Sequence, residues 1–428
     1  MDPSDISFSS LPRRPQEPSQ PSKTTLTRNR LFVVLATLAA AALLTSFIFY
    51  SIHEDHSRHS VYLLQGCLAI GLLEKSWWHY RIRQRFLAPL EASVAALFGG
   101  GDPEVPRPDP SEYEHELRRR MEPTAYAVTR FTDRYMKDVR GAAVTAALVA
   151  ASAVTAVGTV IAAHTEVTVV VCAAVGCFAG VLCACFAPTP SDGVAILVHE
   201  GALTVTAMNT MIAHYTGSKT QMAILDYLFV ALAGWVIIVI SRIVASKKLL
   251  ECFLMVALDT VALLHVTVIM MEVVDFVEHP VANNLPHELA AFFITIACAE
   301  AGHYLFDLVT AEWLSRCFRR WRHTSPRVYG ATDFVVSMLF GAAGMLVWLW
   351  SVDMCVWNII ALLGAVALSQ VGRSFMTLIH DTAMAPPWNR TTFTIWNNGI
   401  MELMNPFLVG WIVFHPYAKT ILEAEGGY

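Results

Sequence analysis

From residue 31 to residue 414 the chain repeats one pattern, an apolar run of about twenty residues followed by a polar interruption. A helix rises about 1.5 Å per residue, so such a run matches a hydrocarbon layer of about 30 Å. The pattern predicts spans at 31–50, 61–78, 141–163, 167–187, 194–214, 223–241, 249–272, 289–311, 330–350, 354–372 and 393–414. The expected fold is all-α, a polytopic transmembrane helical bundle of about eleven spans. Small residues recur within it, with Gly176 and Gly180 four apart and Gly341-Ala342-Ala343-Gly344 in the ninth span. Such faces let helix backbones approach closely.

Lys and Arg sort unevenly around these spans. Of 30, 26 fall on one side and three (Arg58, Lys219, Lys419) on the other, while Lys75 lies within the second span. The positive-inside rule then places the N-terminus in the cytosol and the C-terminus outside.

The layout divides the chain into five parts. Residues 1–30, rich in Pro, Ser and Arg, are expected to be a disordered cytosolic tail. Residues 31–78 form the first transmembrane pair, whose leading span reads as a signal anchor and not as a cleaved signal peptide. Residues 79–140 form a cytosolic basic segment with an interfacial helix at Phe86–Phe98, a Gly/Pro linker and a charged helix. Residues 141–415 form the main bundle of about nine helices, and residues 416–428 a short outer tail.

Composition agrees. Charged residues make up 15% and hydrophobic residues 55%, with mean hydropathy +0.48, against about 25% charged in soluble domains. The implied partner is the lipid bilayer, with multi-pass localisation in a membrane. The basic segment at 79–140 offers a surface for anionic lipid or a protein partner, though a solvated helix obeying the charge rule reads the same way. A net charge of −5 with no separate basic domain excludes a nucleic-acid partner. The nine cysteines have neither metal nor disulfide spacing. No cofactor is implied, and no enzyme signature is present, so a non-enzymatic role is expected.

Ionisable side chains at bilayer depth are costly and point to function. Counting along the spans puts Asp259 level with His303, and His265 level with Glu300, on consecutive antiparallel helices. Glu300, His303 and Asp307 share one helix face. The last span reads Asn397-Asn398-Gly399, Glu402, Asn405-Pro406, which predicts a broken helix of the kind that exposes backbone groups to a solute. Asp259, His265, Glu300, His303, Asp307, Glu402 and Asn405 are therefore the candidate transport-pathway residues. His53, His56 and His59 with Glu54 and Asp55 form a weak metal pattern.

Two functions compete. One is a secondary transporter or an ion or proton pathway using the midplane acids. The other is a non-catalytic multi-pass protein, a viral envelope or organelle membrane component acting in trafficking, packing or partner binding.

Overall fold

The computed structural model describes residues 57–98, 126–136, 141–215, 225–278, 286–312, 326–349, 356–383 and 399–424. The predicted span at 31–50, the tail before it, the linker after Phe98 and the side chains of His53 and His56 lie outside them. The described residues form helices and no strand. In chain order these are α1 (Ser57–Phe98), α2 (Ala127–Tyr135), α3 (Ala142–Ala162), α4 (Val167–Cys185), α5 (Pro190–Tyr215), α6 (Tyr227–Ala245) and α7 (Leu249–Ala262). A π-helical turn, Leu263–Val268, leads into α8 (Ile269–Glu278). The series ends with α9 (Pro286–Glu312), α10 (Pro326–Leu349), α11 (Val356–Thr382) and α12 (Gly399–Ala424).

Each predicted span after the first overlaps one of these helices, the α7–π–α8 rod counting as one. Six are long and apolar enough to cross a membrane: Ala142–Ala162, Val167–Cys185, Tyr227–Ala245, Leu249–Val277, Glu288–Phe306 and Val356–Ile379. Together they point to a membrane-embedded, multi-pass protein. Its outer surface fits that medium, because α6 exposes Leu228, Phe229, Leu232, Ile240 and Val244, whereas its Arg242 is buried. Apolar outside and polar inside is the arrangement that lipid rewards.

Packing divides the bundle into two groups. Helices α3–α6 pack in sequence, α9 and α10 form one close pair, and α11 and α12 form another. Helix α1 bridges the groups, touching α4, α5, α7 and α12. The small-residue faces act as expected. A Cβ at Gly180 would come 2.9 Å from Glu200 Cγ on α5, and one at Gly344 would come 2.7 Å from Cys298 Sγ on α9. An aromatic cluster links the second group to α8: Phe292 stacks on Phe414 at 4.7 Å, and Phe276 meets Trp411 edge-on at 5.3 Å.

Three details differ from the sequence pattern. Helix α1 does not stop near residue 78 but continues to Phe98, absorbing the expected interfacial helix. At 42 residues it is about 63 Å long, twice a hydrocarbon layer. No Gly or Pro stands between Ser76 and Leu87 to end it, and Arg85 Nη1 donates to the Thr382 carbonyl at 2.9 Å, tying the extension to the end of α11. Helix α12 is not broken at Pro406; it starts at Gly399 and runs through Pro406 and Pro416. The irregular backbone is at its first residue, where Gly399 has φ +80°, and not at Pro406. That helix also reaches Ala424, beyond the boundary set at 415.

Candidate functional site

Asp259, ten residues into α7, is 3% exposed, and its partner is Arg242 near the end of α6. Arg242 Nε donates to Asp259 Oδ2 at 2.6 Å and Nη2 to Oδ1 at 3.1 Å, the two-point geometry a guanidinium offers a carboxylate. Arg242 Nη1 forms an ion pair with Asp192 Oδ1 at 2.7 Å and donates to Ser191 Oγ at 3.1 Å. On the other side His79 Nδ1 stands 3.5 Å from Asp259 Oδ1. One arginine thus joins two acids and a histidine from α1, α5, α6 and α7.

Local sequence builds the α5 corner. Thr189-Pro190-Ser191-Asp192 begins that helix with proline at its first position. Thr189 Oγ1 accepts the Asp192 N–H at 3.2 Å and donates to Asp192 Oδ2 at 2.6 Å, a variant of the capping box. Asp192 is fixed in place for Arg242 by its own helix start.

Around this network lie ionisable side chains without partners. Lys75, one turn before His79 on α1, is 2% exposed and its Nζ has no hydrogen-bond partner. Glu200 on α5 is 2% exposed with both carboxylate oxygens unpartnered. His265 is carried by the π turn, and Asn405 of α12 is its polar partner. His199 Nδ1 pairs with Thr267 Oγ1, also on the π turn, at 2.9 Å. Lys75 lies within electrostatic range of both His199 and His265. A single π turn inside an α-helix shifts the phase of the residues that follow, and here it presents His265 and Thr267 to the interior. A small cavity of about 10 Å³ runs among Lys75, Ser76, His79, His199, Arg242 and Asp259.

The expected pairings between Asp259 and His303 and between His265 and Glu300 do not form. His303 Nδ1 instead faces Asp333 of α10, at 2.8 Å and 2.9 Å from its two oxygens. Glu300 pairs with Arg373 of α11 through Arg373 Nη2. Arg373 Nη1 is 4.0 Å from Asp333 Oδ2, so a second arginine joins two acids and a histidine in the other half of the bundle. The reason lies in the helix neighbours: α7 packs on α1 and α6, whereas α9 packs on α10 and α11.

Glu402 is half-buried one turn into α12, and Asn405, 1% exposed, lies near His265. The side chain of Asp307 lies outside the described residues. His59 is exposed at the start of α1, its ring 6.3 Å from Tyr62. Among the described residues no three His, Cys, Asp or Glu side chains group to hold a metal ion. The sequence pattern missed Lys75, Asp192, Glu200, Arg242 and Arg373; Lys75 and Glu200 carried the signal of an ionisable side chain inside a predicted span, and Asp192 a capping motif.

No family model, no curated protein and no solved structure matches this chain.

Proposed function

We propose that this multi-pass membrane protein, with about eleven spans and its N-terminus in the cytosol, provides a transmembrane pathway for an ion or small solute. The observation that carries the reading is a pair of unpartnered ionisable side chains inside the bundle, Lys75 and Glu200. A purely structural bundle gains nothing from a buried ionisable group that satisfies no partner, and each one costs stability. The satisfied pairs at Arg242 and Arg373 can be static; these two have no such role. Lys75 stands on α1 beside the Arg242 network, and Glu200 on α5 against Gly180 of α4.

The competing reading, a packing or partner-binding component, accounts for the ion pairs and leaves the two unpartnered groups without a role. The test is reconstitution of the full chain into liposomes with imposed proton, sodium or chloride gradients. Dissipation faster than in empty vesicles for at least one ion is the expected result. Equal rates for all of them remove ion movement from the proposal.

A further inference from the structure

Lys75 is the least explained side chain in the bundle. Its Nζ is enclosed and has no hydrogen-bond partner, and Lys75 lines a small, partly open cavity of about 10 Å³, room for about one water. The walls determine the chemistry of an occupant. From α1 the cavity meets Lys75, Ser76 and His79; from α5 it meets Asp192 and His199; from α6 it meets Arg242, and from α7 Asp259. His265 of the π turn lies within electrostatic range of Lys75. Glu74, also on α1, is engaged by the backbone of α12. Glu200 follows His199 and packs against Gly180 of α4.

The Asp192 and Asp259 carboxylates oppose an anion here. The Lys75 amine and the Arg242 guanidinium oppose a metal cation. A neutral molecule that both donates and accepts suits the polar walls, and water is the smallest that does.

We infer that one water molecule occupies this cavity and that Lys75 Nζ exchanges protons through it, making Lys75 the proton-carrying group of the bundle. A hydronium formed there gives its proton to the Nζ lone pair, leaving water and an ammonium group. The ammonium returns to the amine by giving a proton back to the water, which leaves again as hydronium. No electrons change owner. The proton's route beyond the cavity rests on the pathway reading above; the site itself does not.

The sequence has seven lysines, few enough for selective labelling. The full chain, with nitrogen-15 at lysine Nζ, is placed in lipid nanodiscs, and the Lys75 resonance is identified by its loss in Lys75→Met. The expected result is exchange of Lys75 protons with water at a rate that varies with pH, unchanged when gluconate replaces chloride. A Lys75 resonance sealed from water between about pH 5 and 9 overturns the inference. So does a resonance that moves on chloride titration, which would mark an anion site. Thermal unfolding gives a second readout. Lys75→Met should melt at or above the wild-type temperature, since it removes an unpaired group; a drop of several degrees would reveal a structural partner and overturn the assignment. Exchange at Lys75 without gradient dissipation retires the pathway and keeps the site, whereas dissipation without exchange does the reverse.

Discussion

The Glu74 carboxylate on α1 accepts the backbone N–H groups of Ile400 and Met401 at 3.1 Å and 3.0 Å, so one helix caps the start of another. The first N–H groups of any helix lack internal acceptors and favour a negative charge. Supplying it from a neighbouring helix fixes the position of α12 against α1, with Lys75 the next residue along. Gly399 completes the joint: its φ of +80° suits glycine, and a Cβ there would fall within the Glu74 carboxylate.

Two substitutions test this joint. Glu74→Ala should lower stability by roughly 1 kcal/mol, the usual value of a helix cap, with Glu74→Gln retaining part of it. Gly399→Ala should cost at least about 1–2 kcal/mol from the left-handed backbone, and more from the collision. Melting temperatures in detergent measure both. Unchanged melting in Gly399→Ala would mean that α12 starts elsewhere.

Arg242 and Asp259 should show strong energetic coupling. Removing either one leaves the other buried, which costs about 3–5 kcal/mol in soluble proteins and less in some membrane bundles. In a double-mutant cycle with Arg242→Met and Asp259→Asn, the pair should lose much less than the sum of the single changes. The same cycle on Asp259 and His303, which stand in different helix groups, should give coupling near zero. Strong coupling in that second cycle would contradict the helix neighbours described above.

The second network should be more tolerant. The Arg373 and Glu300 side chains are 11% and 12% exposed, against 3% and 4% for Arg242 and Asp259. Arg373→Met is accordingly expected to lower the melting temperature less than Arg242→Met does. A larger loss at Arg373 would show that the more exposed network is the principal clamp of the bundle.

Topology offers an independent check. With tags at both ends, only the C-terminal tag should be reachable from outside in intact cells. Asn389-Arg390-Thr391, the one glycosylation sequon, should carry no glycan, because the charge rule assigns its segment to the cytosolic side. Both tags on one side, or a glycan at Asn389, would overturn the span count or its direction.

Much of the fold was legible because lipid imposes length and polarity on each helix separately. Gly176, Gly180 and Gly344 could be assigned to close packing from spacing alone. The site was less legible, for a geometric reason. Distance along a helix can be counted from sequence, which put Asp259 and His303 level; the helix that stands alongside depends on the whole bundle. Arg242 and Arg373 fell at the ends of apolar runs, where arginine usually marks a cytosolic loop, so both were counted as loop charges. Lys75 was placed within its span but given no role, since nothing in its neighbourhood of sequence reveals that Nζ lacks a partner. The π turn was equally hidden: Leu263–Val268 reads as ordinary apolar helix.

The most direct test compares proton flux through the wild-type chain with that of two variants in liposomes, with the membrane potential clamped and an internal dye reporting pH. Lys75→Met removes the enclosed amine, and Asp333→Asn alters the second network, away from the cavity. The expected result is wild-type flux above that of empty vesicles, at least tenfold lower in Lys75→Met and within about twofold of wild type in Asp333→Asn, since a tenfold rate change corresponds to about 1.4 kcal/mol in the barrier. Flux that survives in Lys75→Met but disappears in Asp333→Asn would place the route in the other half of the bundle and contradict the central claim.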